Sequence, residues 1–199
     1  MQTDHSPVTR TFFERPLLIC ARDMLGCQLT WGRTAGIIVE TEAYAEYGDE
    51  AAHTFMRSSA RTFVDQQPPG ALYIYLNYGV HWLLNFLTKG ADSRGFVLVR
   101  ALQPVLGLDV MRRRRRLEQD KMLCSGPGKL TQALGISARW HGKDFFSIPG
   151  VTLTRNADRP VIAVDRRVGI TKSAEFEWRF MIADSEYVSL KKGKPASDR

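Results

Sequence analysis

Hydrophobic residues along the chain fall into blocks of two periods. After Pro16, the apolar positions Leu17, Leu18, Ala21, Met24 and Leu25 recur every three or four residues and stop at Gly26, which predicts an amphipathic helix with a glycine cap. Cys27 to Trp31 and Ala35 to Ala43 are apolar runs on either side of Gly32-Arg33-Thr34, the pattern of two strands joined by a turn. Further strands are predicted at Leu72 to Tyr78, Phe96 to Leu102, Val151 to Thr154, Val161 to Val164 and Trp178 to Ile182. Pro104 is expected to open a helix running through Arg116, and Ser125-Gly126-Pro127-Gly128 to introduce a short one from Lys129 to Leu134 with Gly135 as its cap. From Tyr44 to Gly70 the chain is polar and irregular, and a long loop of the kind that serves function is expected there. Strands and helices mix without alternation or internal repeat, which points to an α+β fold. One domain is expected over residues 11–190, after a flexible start at 1–10 and before a basic polar tail at 191–199.

Composition narrows the class of partner. In 199 residues, 44% hydrophobic and 10% aromatic content suffices for a core, while 28 Lys and Arg against 21 Asp and Glu give a net charge of +7. That excess favours a polyanion, and it is shared by ribosomal, RNA-modifying and membrane-surface proteins. Cys20, Cys27 and Cys124 are odd in number and too far apart for a zinc or disulfide framework, so buried free thiols are expected and no metal or cofactor is implied. Asp4, His5 and Pro7 stand where a secretory signal would need an apolar core, and no segment has the length of a membrane span. A soluble intracellular protein is expected, in cytoplasm or nucleoid if bacterial and in the nucleus if eukaryotic.

Several residues break their surroundings in ways that bear on chemistry. The run Val39-Glu40-Thr41-Glu42-Ala43-Tyr44 ends an apolar strand with two carboxylates, and a period of two places Glu40, Glu42 and Tyr44 on one face. Such carboxylates are either solvated or held for chemistry. In Leu72 to Gly79, Tyr73, Tyr75 and Asn77 share a face; Tyr73 reads as a core ring with a bonded hydroxyl, whereas Tyr78, beside Gly79, has the position of an aromatic wedge. Asn85 and Arg100 interrupt the apolar runs Leu83 to Leu87 and Phe96 to Leu102. Buried polar groups need partners, so Arg100 beside a carboxylate such as Glu42 would be satisfied, in a catalytic or a purely structural pair alike. Arg112 to Arg116 point all the way round a helix, and either phosphate contact or solvation would account for them. Ser125-Gly126-Pro127-Gly128-Lys129 sets backbone amides and a lysine at a helix start, a site for one phosphate, without the spacing of a nucleotide-binding loop.

Taken in order, Val39-Glu-Thr-Glu-Ala-Tyr44, Glu50-Ala-Ala-His53, Pro69-Gly70 leading to Leu72-Tyr-Ile-Tyr75 and Tyr78-Gly79, then Asn85, Leu98-Val-Arg-Ala-Leu102, Leu123-Cys-Ser-Gly-Pro127 with Lys129-Leu130, and Arg167-Val-Gly-Ile170 resemble the alkyladenine (3-methyladenine) DNA glycosylase family. The resemblance runs from about Phe12 to Ser189 and is to the lineage that includes the human alkyladenine enzyme, unlike the helix-hairpin-helix glycosylases.

That resemblance implies a curved, largely antiparallel sheet with surrounding helices and a protruding β-hairpin. It also implies a monomer that binds double-stranded DNA carrying damaged purines of the methyladenine, methylguanine, hypoxanthine or etheno-adenine type, flips the damaged nucleotide out from the minor-groove side, and hydrolyses the N-glycosidic bond with an activated water. No metal, cofactor or covalent lysine intermediate is implied, and an abasic site is left. By the same resemblance Glu42 is the general base that aligns the water, helped by Arg100 and the backbone at Val168. Tyr44, His53 and Tyr75 are pocket walls, Asn85 disfavours normal guanine, and Tyr78 enters the gap left by the base. Lys129, Ser125, Gly126, Arg112 and Arg113 are the expected phosphate contacts. The sequence departs from the family pattern at Ala45-Glu46, where Gly-Pro is usual, and at Arg61 to Asp65, where Pro-Arg-Asn and Met-Phe elements are usual. Two rivals are a basic nucleic-acid-binding protein that kept the fold and lost the chemistry, and an RNA-modifying enzyme. Binding without release of free base would favour either.

Overall fold

The computed structural model describes residues 6–91, 93–156 and 159–191. Its centre is an antiparallel sheet of eight strands, not closed into a barrel, with six α-helices among the described residues. Helix α1 (Leu17–Asp23) is followed by β1 (Gln28–Trp31) and the long β2 (Thr34–Ala45), as the apolar pattern predicts.

The segment expected to be a loop holds two helices, α2 (His53–Met56) and α3 (Ser58–Gln66). Helix α3 buries Ala60, Phe63 and Val64 at helical spacing, and extended Gln67 before Pro68 ends it. The hairpin β3 (Leu72–Asn77) and β4 (His81–Gly90) leads into β5 (Ser93–Leu106). Strand β4 escapes a reading by alternation because Leu83 to Thr88 are buried on both faces of the sheet.

The helix expected from Pro104 begins later. Strand β5 continues through Leu106, and Gly107 at φ 72° makes the turn into α4 (Leu108–Arg115). Proline is tolerated there because Leu102, two residues earlier, sends its N–H away from β2 to the carbonyl of Cys124. Pro104 faces that same side, where no strand of β4 lies alongside, so its missing N–H breaks no ladder bond. Two short helices follow, α5 (Asp120–Leu123) and α6 (Pro127–Leu134), the latter opened by Pro127 and capped by Gly135 at φ 76°. Strands β6 (Val151–Thr154), β7 (Ile162–Asp165) and β8 (Arg179–Ile182) complete the sheet.

At the N-terminal side, the part of the expected flexible start that is described is docked: Val8 is buried and its N–H donates to the Leu153 carbonyl. Residues 1–5 and the tail beyond Lys191 lie outside the described residues. All three cysteines are free and buried, and burial pushes their thiols up, to about 11 for Cys20 and Cys27 and about 12 for Cys124. No helix among the described residues is long and apolar enough to cross a membrane.

The strand order is β3-β4-β5-β2-β1-β6, and β2 changes neighbours along its length. Its first residues pair with β1, while Glu40, Thr41 and Glu42 pair with β8, which in turn pairs with β7. One face of β3, β4 and β5 packs Leu72, Ile74, Leu84, Phe86, Val97 and Val99 into the main core. The opposite face presents Tyr73, Tyr75, Asn85, Phe96, Leu98 and Arg100 to a cavity, with α3 packed along its edge.

The β2–β5 ladder is irregular on both sides of Glu40, and it leaves Val39 and Arg100 without opposite numbers. This irregularity switches the parity of both strands at one level. Ile38 and Leu102 join the core, and so do Ala43, Val97 and Val99 beyond the break. Glu40, Glu42 and Arg100 are thereby turned away from the oil of the core and towards one another.

Candidate active site

The cavity facing the sheet has a volume of about 340 Å³, near the lower end of the range of about 300–1,000 Å³ usual for ligand sites. Its walls include Tyr44, His53, Tyr73, Tyr75, Phe96 and Arg100. The backbone loop Val168 to Ile170 closes one side, and Tyr78 and Pro127 stand among the lining residues. Among the described residues no group of His, Cys, Asp and Glu is placed to hold a metal ion.

Glu42 is fully buried, and the groups that bond to it line the cavity. Oε1 accepts from the Val168 N–H at 2.7 Å, and Oε2 accepts from the Tyr44 hydroxyl at 2.8 Å and from Arg100 Nη1 at 3.1 Å. A carboxylate offers about four acceptor positions, so three bonds leave room for one more donor such as a water. Burial, and next the adjacent Glu42 carboxylate, raise the Tyr44 phenol well above its usual pKa, keeping it a proton donor to Glu42. For Arg100 burial disfavours the charge, but Glu42 and Glu40 outweigh it and hold the guanidinium above its ordinary range.

The wall of the cavity is aromatic and its imidazole is neutral. His53 Nδ1 lies 3.0 Å from the Tyr73 hydroxyl, and its ring sits 4.2 Å from that of Tyr75. Burial, with a smaller contribution from Arg57, lowers His53 to about 4, and burial raises Tyr75 to about 12. An unfolded chain takes up a proton on this histidine near 6.5, the folded one only near 4. The unfolded state therefore binds more protons between those values, and the contribution of His53 to stability, complete above about 6.5, is lost as pH falls towards about 4. His53→Gln should accordingly flatten the fall of Tm across that window. Parallel Tm profiles for the two proteins would contradict the neutral, buried imidazole.

Asn85 is locked, its Nδ2 donating to the Tyr73 carbonyl at 3.0 Å. At the hairpin tip, Tyr78 and Gly79 both have left-handed backbone, φ 49° and 69°, and the Val80 N–H closes the turn onto the Asn77 carbonyl. A tyrosine in that conformation costs about 1–2 kcal/mol, and this one is also 88% exposed. Strain and exposure of a large ring together mark a residue presented outward rather than packed.

The expected phosphate contacts divide. Ser125, Gly126 and Lys129 stand at the start of α6, where Pro127 reaches the cavity and Gly128 is pressed so closely on His81 that a Cβ would lie 2.6 Å from the imidazole. Lys129 Nζ is 3.5 Å from Ser125 Oγ. Arg112 and Arg113 lie on α4 and do not line the cavity. Arg112 is held bidentate by Asp120 at 2.9 and 3.0 Å, whereas Arg113 is exposed.

Some of the residues that build the site do not stand out in the sequence. Arg167 and Asp49 form an ion pair at 2.6 Å with both side chains fully buried, and Arg167 also bonds the Ala43 carbonyl and stacks over Tyr44 and Trp178. The pair ties the 46–51 loop to the segment that carries Val168. Arg179 is the largest fully buried side chain, and a lone arginine in the apolar run Trp178 to Ile182 was the same signal that marked Arg100. The departure at Glu46 has a structural use: Arg94 grips its carboxylate at 2.6 and 2.9 Å and reaches Asp65 at 3.2 Å, fastening α3 beside the cavity.

Known proteins align over most of this length. The profile of the methylpurine-DNA glycosylase family matches residues 11–186. A protein of Rhodopseudomonas palustris named as a candidate 3-methyladenine DNA glycosylase is 42% identical over 182 residues, 92% of this chain and 87% of the relative. A counterpart with the same name in Rhizobium meliloti is 43% identical over 180 residues, 90% of this chain and 95% of its own. One in Nitrosospira multiformis is 41% identical over 169 residues, 85% of this chain and 86% of its own. With a profile spanning nearly the whole described chain and relatives at this identity, the chain belongs to the methylpurine-DNA glycosylase family.

Proposed function

We propose that this chain is a monofunctional DNA glycosylase that flips alkylated or deaminated purines out of duplex DNA and hydrolyses their N-glycosidic bonds, acting as a monomer. The observation that carries this reading is a carboxylate, Glu42, held by three donors beneath an aromatic cavity, with an exposed, strained tyrosine beside that cavity.

Each step follows from these groups. An extruded purine stacks between the rings of Tyr44, Tyr75 and His53, and a methylated base that carries positive charge gains more from such electron-rich walls. A neutral His53 adds no repulsion against that cation. As the glycosidic bond lengthens, positive charge develops on the sugar and the fixed carboxylate of Glu42 opposes it. The remaining acceptor position on Glu42 orients a water for attack on the anomeric carbon and receives its proton, while the base departs with the bonding electrons. Asn85, unable to rotate while its amide is bonded to Tyr73, presents a fixed obstacle to the exocyclic amine of guanine. Hypoxanthine, etheno-adenine, methyladenine and methylguanine types are the proposed substrates. Ser125, Gly126, Lys129, Arg112 and Arg113 are proposed to face DNA phosphates, Arg112 only on exchange of its Asp120 partner.

No lysine among the described residues lines the cavity, which favours water over an amine as nucleophile. Incubation with duplexes carrying each lesion should release free base and leave alkali-labile sites. Activity should survive exhaustive chelation, and borohydride should trap no protein–DNA adduct. A trapped adduct would overturn the monofunctional reading, and binding without base release would favour a binding protein instead.

A further inference from the structure

Behind Glu42 lies a second buried carboxylate that does not reach the cavity. Glu40 is fully buried, and Oε1 accepts from Arg100 Nε at 3.0 Å, from Arg179 Nε at 2.7 Å and from Ser189 Oγ at 2.8 Å. Its other oxygen accepts from the Ser189 N–H at 2.6 Å. Burial would raise its pKa, but Arg100 and Arg179 outweigh burial and lower it. Arg179 continues to Asp165 at 3.3 Å and to the Leu190 carbonyl.

Arg100 is consequently held on every nitrogen: Nε by Glu40, Nη1 by Glu42, and Nη2 by Ser189 Oγ at 3.2 Å. The Ser189 hydroxyl accepts from the guanidinium and donates to Glu40, so a single side chain near the end of the described chain bridges both. Lys121, paired with Glu186, fastens the same segment against α5. Buried charge clusters of this kind are poor sources of stability, because desolvation consumes most of the attraction. What the cluster does supply is direction, since a guanidinium fixed at three points cannot swing away from Glu42.

We propose that Glu40 and Ser189 are positioning residues for the reaction: they fix the guanidinium of Arg100, and through it the carboxylate of Glu42 that orients the water. The inference rests on the glycosylase reading for its catalytic meaning, and its structural half can be read without DNA.

The test uses Ser189→Ala in the full chain, with Ser189→Thr as the conservative control. Ser189 is only half-buried, so truncating it leaves the fold intact, whereas Glu40→Gln sets an amide against the Ser189 N–H and risks misfolding. Ser189→Ala should slow single-turnover excision about tenfold, the size of one lost hydrogen bond to a charged group, with lesion-duplex affinity changed less than about twofold. In the free protein the Arg100 Nε–H, followed by NMR, should exchange with water faster than in the wild type. Ser189→Thr should restore both rate and exchange. An unchanged rate together with unchanged exchange overturns the proposal, and so does a loss of affinity that matches the loss of rate and is not rescued by threonine. If the wild type releases no base from any lesion duplex, the glycosylase reading fails, while the exchange measurement still decides whether Ser189 positions Arg100.

Discussion

Glu42→Gln is expected to bind lesion DNA as tightly as the wild type and to release base about a thousandfold more slowly, the range set by loss of a general base together with an opposing charge. Glutamine has the same shape and can still accept from Val168 or Tyr44 through its carbonyl oxygen. Its amide nitrogen, however, is a donor, and at one of the two oxygen positions it meets a donor already in place: the Val168 N–H, or the Tyr44 hydroxyl and Arg100. It can neither take a proton from water nor balance positive charge on the sugar. Among the described residues, removing the carboxylate also leaves Arg100 with Glu40 as its one remaining anionic partner, so the folded fraction of the variant has to be checked by its thermal transition. Near-normal single-turnover excision by a folded Glu42→Gln protein would remove this residue from the chemistry. A loss of rate with intact binding would separate the catalytic reading from that of a mere DNA-binding protein.

Tyr78→Ser should lose lesion preference while keeping its dependence on salt. The exposed ring sits at the tip of a strained turn, where it can enter a base stack and compensate part of the unstacking penalty of a few kcal/mol. Removing it should weaken both binding and excision, about ten- to a hundredfold for lesions that remain well paired, because they are the costliest to extrude. A lesion in a mismatch or a single strand, already partly unstacked, should show the smallest change. The proposed phosphate contacts lie on other elements, among them Lys129 and Ser125 at the start of α6, so the slope of affinity against salt should be nearly unchanged. Stopped-flow fluorescence of a reporter base beside the lesion reads the flipping step directly. Unchanged flipping in the variant, for paired and mispaired lesions alike, would make Tyr78 an ordinary surface ring.

Short-range pattern determined much of this protein. Period-two alternation put Tyr73 and Tyr75 on one face and grouped Glu40, Glu42 and Tyr44, because side-chain direction in a strand is a local property of the backbone. Polar residues inside apolar runs announced Asn85 and Arg100, since burial without a partner is too costly to occur by accident. Proline and glycine placed the start and end of α6 through their own backbone preferences. Even the chain between Tyr44 and Gly70 carried a helical signal in Ala60, Phe63 and Val64, hidden by the polar residues around it.

Only the tertiary structure decided the rest. Whether Glu40 would face the core or the charge cluster depended on a ladder irregularity between β2 and β5, which is set by two strands about sixty residues apart in sequence and written in neither alone. The partners of the buried charges are equally remote: Asp49 meets Arg167, Glu42 meets Val168, and Glu40 meets Arg179 and Ser189. Pro104 could remain in a strand because its N–H side had no neighbour in the sheet, a fact about sheet order and not about proline. Local sequence sets the direction of each side chain, but the partner that satisfies a buried charge is chosen by how distant segments pack, and here that packing gathered isolated charged residues into one hydrogen-bonded cluster beside the cavity.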